Sequence, residues 1–299
     1  MQDSILTTLV LPIALAIIML GLGLSLKSDD FLRIFKYPKA VTIGLIGQLV
    51  ILPIIALAIV KVIPMPPAIA VGLIILALCP CGPSSNMITY LAGGDVALAV
   101  TLTVFSSMIT IFTIPLFASL AVNSFLGTNA IVSLPIGATM GQIFVITVIP
   151  IALGMYIQHQ FPKIARRLEK VTNKLAVGFL VLIIILLVAK EWSKLPGFIV
   201  QAGMGVMLLN ILGMAAGYAI SKMLNLNIAQ QICIAIEVGI QNGTLAIAIT
   251  AGILKDAEMA IPAAIYSLFM YLTGFAVIAY GKSLTSHSHS GDIPSSDLG

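Results

Sequence analysis

The sequence predicts an all-α polytopic membrane protein, and three observations predict it. Of its 299 residues 60% are hydrophobic and 9% charged, with a mean hydropathy of +1.13, whereas ordinary globular domains carry about 25% charged residues. The apolar residues fall in blocks of about twenty, the length of α-helix that crosses roughly 30 Å of hydrocarbon. Basic residues gather in alternate connections between those blocks. In hydrocarbon every backbone N–H and C=O must be satisfied within the protein, so blocks of this length span as helices.

Nine spans follow, at about 5–26, 40–60, 67–92, 96–121, 135–159, 171–189, 198–221, 228–253 and 260–281. The first is too long for a signal peptide and does not end in a small-residue cleavage site. With the N-terminus outside, eleven basic residues fall on inner connections (Lys27, Arg33, Lys36, Lys39, Lys163, Arg166, Arg167, Lys170, Lys174, Lys222 and Lys282). Four fall outside: Lys61, Lys190, Lys194 and Lys255. This bias places the N-terminus outside and the C-terminus in the cytoplasm. It also accounts for the net charge of +4 without a nucleic-acid partner.

The connections are too short for folded domains. Residues 1–282 therefore read as one transmembrane domain, and the Ser- and Gly-rich stretch 283–299 as a disordered cytoplasmic tail. His287 and His289 in that tail supply neither the ligand number nor the geometry of a metal site. Cys79, Cys81 and Cys233 lie inside apolar blocks and read as small packing residues.

Two spans carry breaks. The third, VGLIILALCPCGPSSNMITYLAGG, holds Pro80, Gly82 and Pro83 at its middle. Proline removes a helix hydrogen bond and glycine loosens the backbone. The eighth, AQQICIAIEVGIQNGTLAIAITAG, places Glu237, Gln241 and Asn242 beside Gly239 and Gly243. The two lie five spans apart and so cross in opposite directions. The spans before them carry lone amides at similar places, Gln48 and Asn210. This is the internal symmetry of an inverted repeat, with four helices in the first half and five in the second.

Glu237 is the one acidic residue deep inside a span. A lone charge there costs at least ~2.5–3.5 kcal/mol on insertion scales, so it requires a bound proton or a bound cation. The surrounding EVGIQNG and PSSN segments offer a carboxylate, amide oxygens, hydroxyls and freed carbonyls. Such hard oxygen donors suit an alkali cation, and sodium fits best. The N-termini of the second half-helices would favour an anion beside it, which links the two ligands energetically.

At these motifs, GPSSNMITYLAGGDVALAV, EVGIQNG, and GLGLSL followed by SDDFLRIFKYPKAVTIGLIGQ, the sequence resembles the bile acid:sodium symporter family over nearly its whole length. It resembles the nine-helix form. The resemblance implies a core domain of two inverted three-helix units (about 40–121 and 198–281) with crossing broken helices, and a panel domain (about 5–26 and 135–189). It implies sodium-coupled symport of an organic anion by alternating access. Two sodium sites are implied, one of Ser85, Asn86, Thr103 and Glu237, the other of Gln48, Glu237, Gln241 and the carbonyls of Val238 and Ile240. Ala99 stands where bacterial relatives often carry a serine ligand. The implied substrate lies near Asn242, with Ser84 and Thr244 as further carboxylate donors. Met270 and Tyr271 stand where close bile-acid-transporting relatives often carry a His-Asn pair, so bile acids and small carboxylates such as pantoate both remain open.

The alternatives are a proton-coupled carrier and an oxyanion exporter of a related family, the latter engaging Cys79 or Cys81. An intramembrane enzyme is disfavoured, since no span offers a Ser–His, Cys–His or paired-aspartate constellation.

Overall fold

The computed structural model describes residues 11–26, 36–127, 136–190 and 195–289, and those residues contain helices and no strand. Six helical runs among them are long and apolar enough to cross a membrane, and a bent pair makes a seventh. The chain is thus an all-α polytopic membrane protein. Helices α1 (Leu11–Ser25) and α8 (Pro162–Lys190) stand where the first and sixth spans are expected.

The second span is α2 (Pro38–Ile46) and α3 (Leu52–Val62), which run on as one span through a π-helical turn over Gly47–Ile51. Pro53 has no N–H for the carbonyl of Leu49, and its ring crowds that turn. The widened turn relieves the clash, and it carries Gln48, buried at 1% exposure. The third span is the pair α4 (Pro67–Leu78) and α5 (Pro83–Leu91), which meet at 64°. The fourth is α6 (Val96–Leu126), started by Asp95, whose carboxylate accepts from the Leu98 amide at 3.0 Å.

Helices α7 (Ile136–Gln160), α8 and α9 (Leu195–Met223) follow. The eighth span is α10 (Ile228–Gly239), then α11 (Gly243–Ile247) and a second π-helical stretch over Ala248–Ile253. Helix α12 (Ile261–His289) ends the described chain.

Two boundaries differ from the sequence reading. Helix α8 begins at Pro162, so Lys163, Arg166, Arg167, Lys170 and Lys174 lie on its first turns rather than in a loop. Long basic side chains can lie along a helix and still reach the headgroup region. Helix α12 continues to His289, past the expected boundary at 282, so the first part of the supposed tail is helical. Once a span is packed, each further turn adds one hydrogen bond per residue fixed, so the helix propagates into polar sequence. Residues 290–299, like Lys27, Arg33 and Lys194, lie outside the described residues.

The polarity is that of a lipid-embedded protein. Ile54, Phe112, Leu120 and Leu272 are exposed, while Gln48, Thr103, Asn210, Glu237 and Gln241 are buried. Such an apolar exterior would aggregate in water. Helices α1, α7 and α8 pack chiefly on one another. Residues 232–251 of the eighth span are buried, with α10 enclosed by α2, α5, α6, α9 and α12.

Candidate ion and anion site at the crossing of two broken helices

The first break exists because Pro80 and Pro83 cannot donate to the preceding turn. The chain leaves the helix at Cys79 in an extended conformation and re-enters at Pro83, the first helical position of α5. There a missing N–H costs nothing. In the second break Ile240 is extended, and Asn242 restarts the helix by accepting the Leu245 amide on its side-chain oxygen at 3.0 Å. The Asn242 amide donates to the Pro80 carbonyl at 2.8 Å, so the two breaks touch backbone to backbone. Gly243 sits so close to Ser267 that a Cβ there would strike its hydroxyl, and Gly239 packs likewise on the Met214 side chain.

Unwinding frees three carbonyls, and side chains from neighbouring spans meet them. Gln48 Nε2 donates to Glu237 O at 3.3 Å. Gln241 Nε2 donates to Val238 O at 2.8 Å and lies 3.5 Å from Glu237 O. Gly239 O accepts from Asn210 Nδ2 at 2.7 Å and from the Tyr266 hydroxyl at 2.6 Å.

The Glu237 carboxylate has no exposed surface. Its Oε2 accepts from Cys81 Sγ at 2.5 Å and from Thr103 Oγ1 at 3.2 Å. Thr103 Oγ1 also lies 3.5 Å from Asn86 Oδ1. The Ser85 hydroxyl donates to Gly82 O at 2.8 Å and sits against the same carboxylate. Glu237 Oε1, Gln48 Oε1 and Gln241 Oε1 are buried with no hydrogen-bond partner. Buried polar atoms are nearly always satisfied, so a cluster of orphaned oxygens calls for a ligand. Among the described residues no group of three or more His, Cys, Asp or Glu side chains could hold a metal ion. The donors are carboxylate, amide and hydroxyl oxygens, suited to a hard cation.

Beside this cluster opens a cavity of about 360 Å³. Ser84, Asn242 and Thr244 line one wall, and Ile18, Tyr271 and Phe275 are among the apolar residues of the rest. Asn242 Nδ2 is buried here with no acceptor. The structure therefore brings Ser85 and Thr103 to the Glu237 carboxylate with Asn86 beside Thr103, brings Gln48 and Gln241 to the Glu237 backbone carbonyl, and sets Ser84, Asn242 and Thr244 on the adjoining cavity. The sequence offers Cys81 only as a thiophilic ligand of the oxyanion-exporter alternative, and does not point to Tyr266. Cys81 lies within the break motif itself, which was the available signal.

Broken helices crossing around a buried carboxylate, next to a cavity, define the architecture of a secondary transporter. The chain belongs to the sodium bile acid symporter family, whose profile matches residues 12–196. It is 29% identical over 262 residues to the probable sodium/metabolite cotransporter BASS1, chloroplastic, of Arabidopsis thaliana, covering 88% of this chain and 64% of that protein. It is 29% identical over 280 residues to the uncharacterized sodium-dependent transporter YocS of Bacillus subtilis, covering 93% of this chain and 85% of the relative. It is 32% identical over 233 residues to the human P3 protein, covering 76% of this chain and 47% of that one. The chain thus spans less than two thirds of the Arabidopsis protein and about half of the human one.

Proposed function

We propose that this protein is a sodium-coupled symporter of organic anions in the cell (inner) membrane, with its N-terminus outside. The observation that carries the reading is the set of buried, unpartnered oxygens Glu237 Oε1, Gln48 Oε1 and Gln241 Oε1. Three acceptors facing no donor are the complement of a cation, and the carboxylate supplies the charge that holds it. Sodium would displace the Gln48 and Gln241 amide hydrogens from the carbonyls of Glu237 and Val238 and turn those oxygens to itself. Ile240 would add its carbonyl. Thr103 meets Glu237 Oε2, where the resemblance implies a second ligand group with Ser85 and Asn86.

The anion binds in the cavity, where Asn242 Nδ2 donates to its carboxylate and Ser84 and Thr244 assist. The cavity size is at the small end of the range for drug-sized ligands. Its apolar wall of Met270, Tyr271 and Phe275 suits an amphipathic carboxylate, a bile acid or a smaller acid such as pantoate. Gln241 lines the cavity while its neighbour Asn242 joins the two breaks, so ion and anion share one short segment. That sharing is a physical route for coupling. Helices α1, α7 and α8 would move as a panel against the remaining core, exposing the cavity to each side in turn.

The experiment is uptake of radiolabelled taurocholate and pantoate into proteoliposomes, with inward sodium and proton gradients imposed separately. Sodium-driven uptake that disappears in Glu237→Ala supports the reading. Uptake driven by protons alone supports the proton-coupled alternative.

A further inference from the structure

The two oxygens of Glu237 live in different surroundings. Oε1 has no partner. Oε2 is closed in by Cys81 Sγ at 2.5 Å and Thr103 Oγ1 at 3.2 Å, and these two atoms are themselves 3.1 Å apart. We infer that Cys81 sets the ion stoichiometry, because its thiol fills the ion position between Glu237 Oε2 and Thr103 Oγ1 and leaves one working sodium position, at the unpartnered Glu237 Oε1, Gln48 Oε1 and Gln241 Oε1. The inference rests on the sodium-coupled reading.

Three arguments support it. The first is space. A hard cation sits about 2.3–2.6 Å from each oxygen ligand. Between Glu237 Oε2, Thr103 Oγ1 and Asn86 Oδ1 that position is taken by a sulfur already in contact with two of the three. The second is chemistry. A thiol is a soft and weak ligand for an alkali ion, and its hydrogen points at the carboxylate oxygen that the ion would need. The third is the absence of a replacement. Ala99, one turn before Thr103 on α6, contributes only its backbone carbonyl, which accepts from Thr103 Oγ1 at 3.0 Å. Glu237 Oε1 is orphaned together with the amide oxygens of Gln48 and Gln241, and the thiol meets the Gln48 side chain without satisfying Gln48 Oε1. Cys81 is in this sense a specificity-determining residue.

The test is equilibrium binding of radioactive sodium to the purified full-length chain in detergent, for wild type, Cys81→Ser and Cys81→Ala. The wild type should bind about one ion per chain with a Hill slope of about one. Cys81→Ser replaces the sulfur with a smaller, hard oxygen and should bind about two ions with a slope above one. Cys81→Ala opens the space without adding a ligand, so its second ion should bind at least about tenfold more weakly than in Cys81→Ser. A merely structural cysteine would change stability and leave the count alone. Two ions bound by the wild type, or one ion in both monodisperse variants, overturns the inference while sodium coupling stands. No sodium bound by the wild type overturns the coupling reading and this inference with it. Should Cys81→Ser fail to remain monodisperse, the wild-type count and Cys81→Ala still decide.

Discussion

The backbone amide of Asn242 donates to the carbonyl of Pro80 at 2.8 Å, tying the break in one half of the chain to the break in the other. The same residue caps α11 through its side-chain oxygen and leaves its Nδ2 unpartnered at the cavity. Asn242→Asp keeps the cap and removes the donor, while setting a negative charge against the anion. The variant should fold and bind sodium, and lose about tenfold or more in apparent affinity for taurocholate or pantoate. Uptake titrations against each anion check this, and an unchanged half-saturation would remove Asn242 from the anion site.

Glu237→Gln separates coupling from folding. The amide keeps the shape and removes a charge that is costly inside a membrane. Thermal stability in sodium-free detergent should be unchanged or raised. The stabilisation that sodium gives the wild type, RT ln(1 + [Na]/Kd), should be lost. Melting curves with sodium and with potassium at equal ionic strength measure both.

Much of this arrangement was legible in the sequence. The spans were visible because hydrocarbon thickness fixes their length, and the breaks because Pro80, Pro83, Gly239 and Gly243 have few other uses in mid-membrane. Glu237 stood out because an unpaired carboxylate there is expensive. Cys81 was legible only through its place in the break motif, since a cysteine in an apolar block usually packs, and only coordinates show its sulfur against Oε2. The symmetry between Gln48 and Asn210 misled in one respect. They occupy equivalent spans, yet both donate to the second break, to Glu237 O and Gly239 O respectively. The hydrogen bonds of the site are less symmetric than the helix order.

Gly239 O is satisfied twice, by Asn210 and Tyr266. Either donor alone keeps the carbonyl paired. Tyr266→Phe and Asn210→Leu should therefore each cost about 0.5–1.5 kcal/mol, and the double variant more than their sum, because the last partner leaves a buried acceptor unmet at about 1–3 kcal/mol. A denaturation double-mutant cycle in detergent gives the coupling energy. Additive losses would mean that the two donors act independently.

Gly243 is required by close approach. A Cβ there would strike the Ser267 hydroxyl, which is held by its hydrogen bond to Ala263 O at 2.7 Å, and would lie 3.2 Å from that same carbonyl. Gly243→Ala should cost about 1–3 kcal/mol through overpacking. Ser267→Gly should restore part of it. No recovery in Gly243→Ala with Ser267→Gly would argue that backbone freedom rather than contact selects glycine here.

Ile18 on α1 and Ile278 on α12 line the same cavity from the two bodies proposed to move against each other. If the cavity opens to each side by that motion, fixing one wall to the other must stop transport without emptying the ion site. A cysteine pair at these positions, Ile18→Cys with Ile278→Cys, can be joined by a bifunctional maleimide, since the native Cys79, Cys81 and Cys233 are buried. Uptake should fall to background in the linked fraction and remain in the singly substituted proteins given the same reagent. Sodium binding to the linked protein should persist, because Glu237, Gln48 and Gln241 all belong to the core. Transport surviving a verified cross-link would show that the cavity changes sides by a movement within the core, as could happen if α5 alone swung about the 64° bend at Cys79–Gly82.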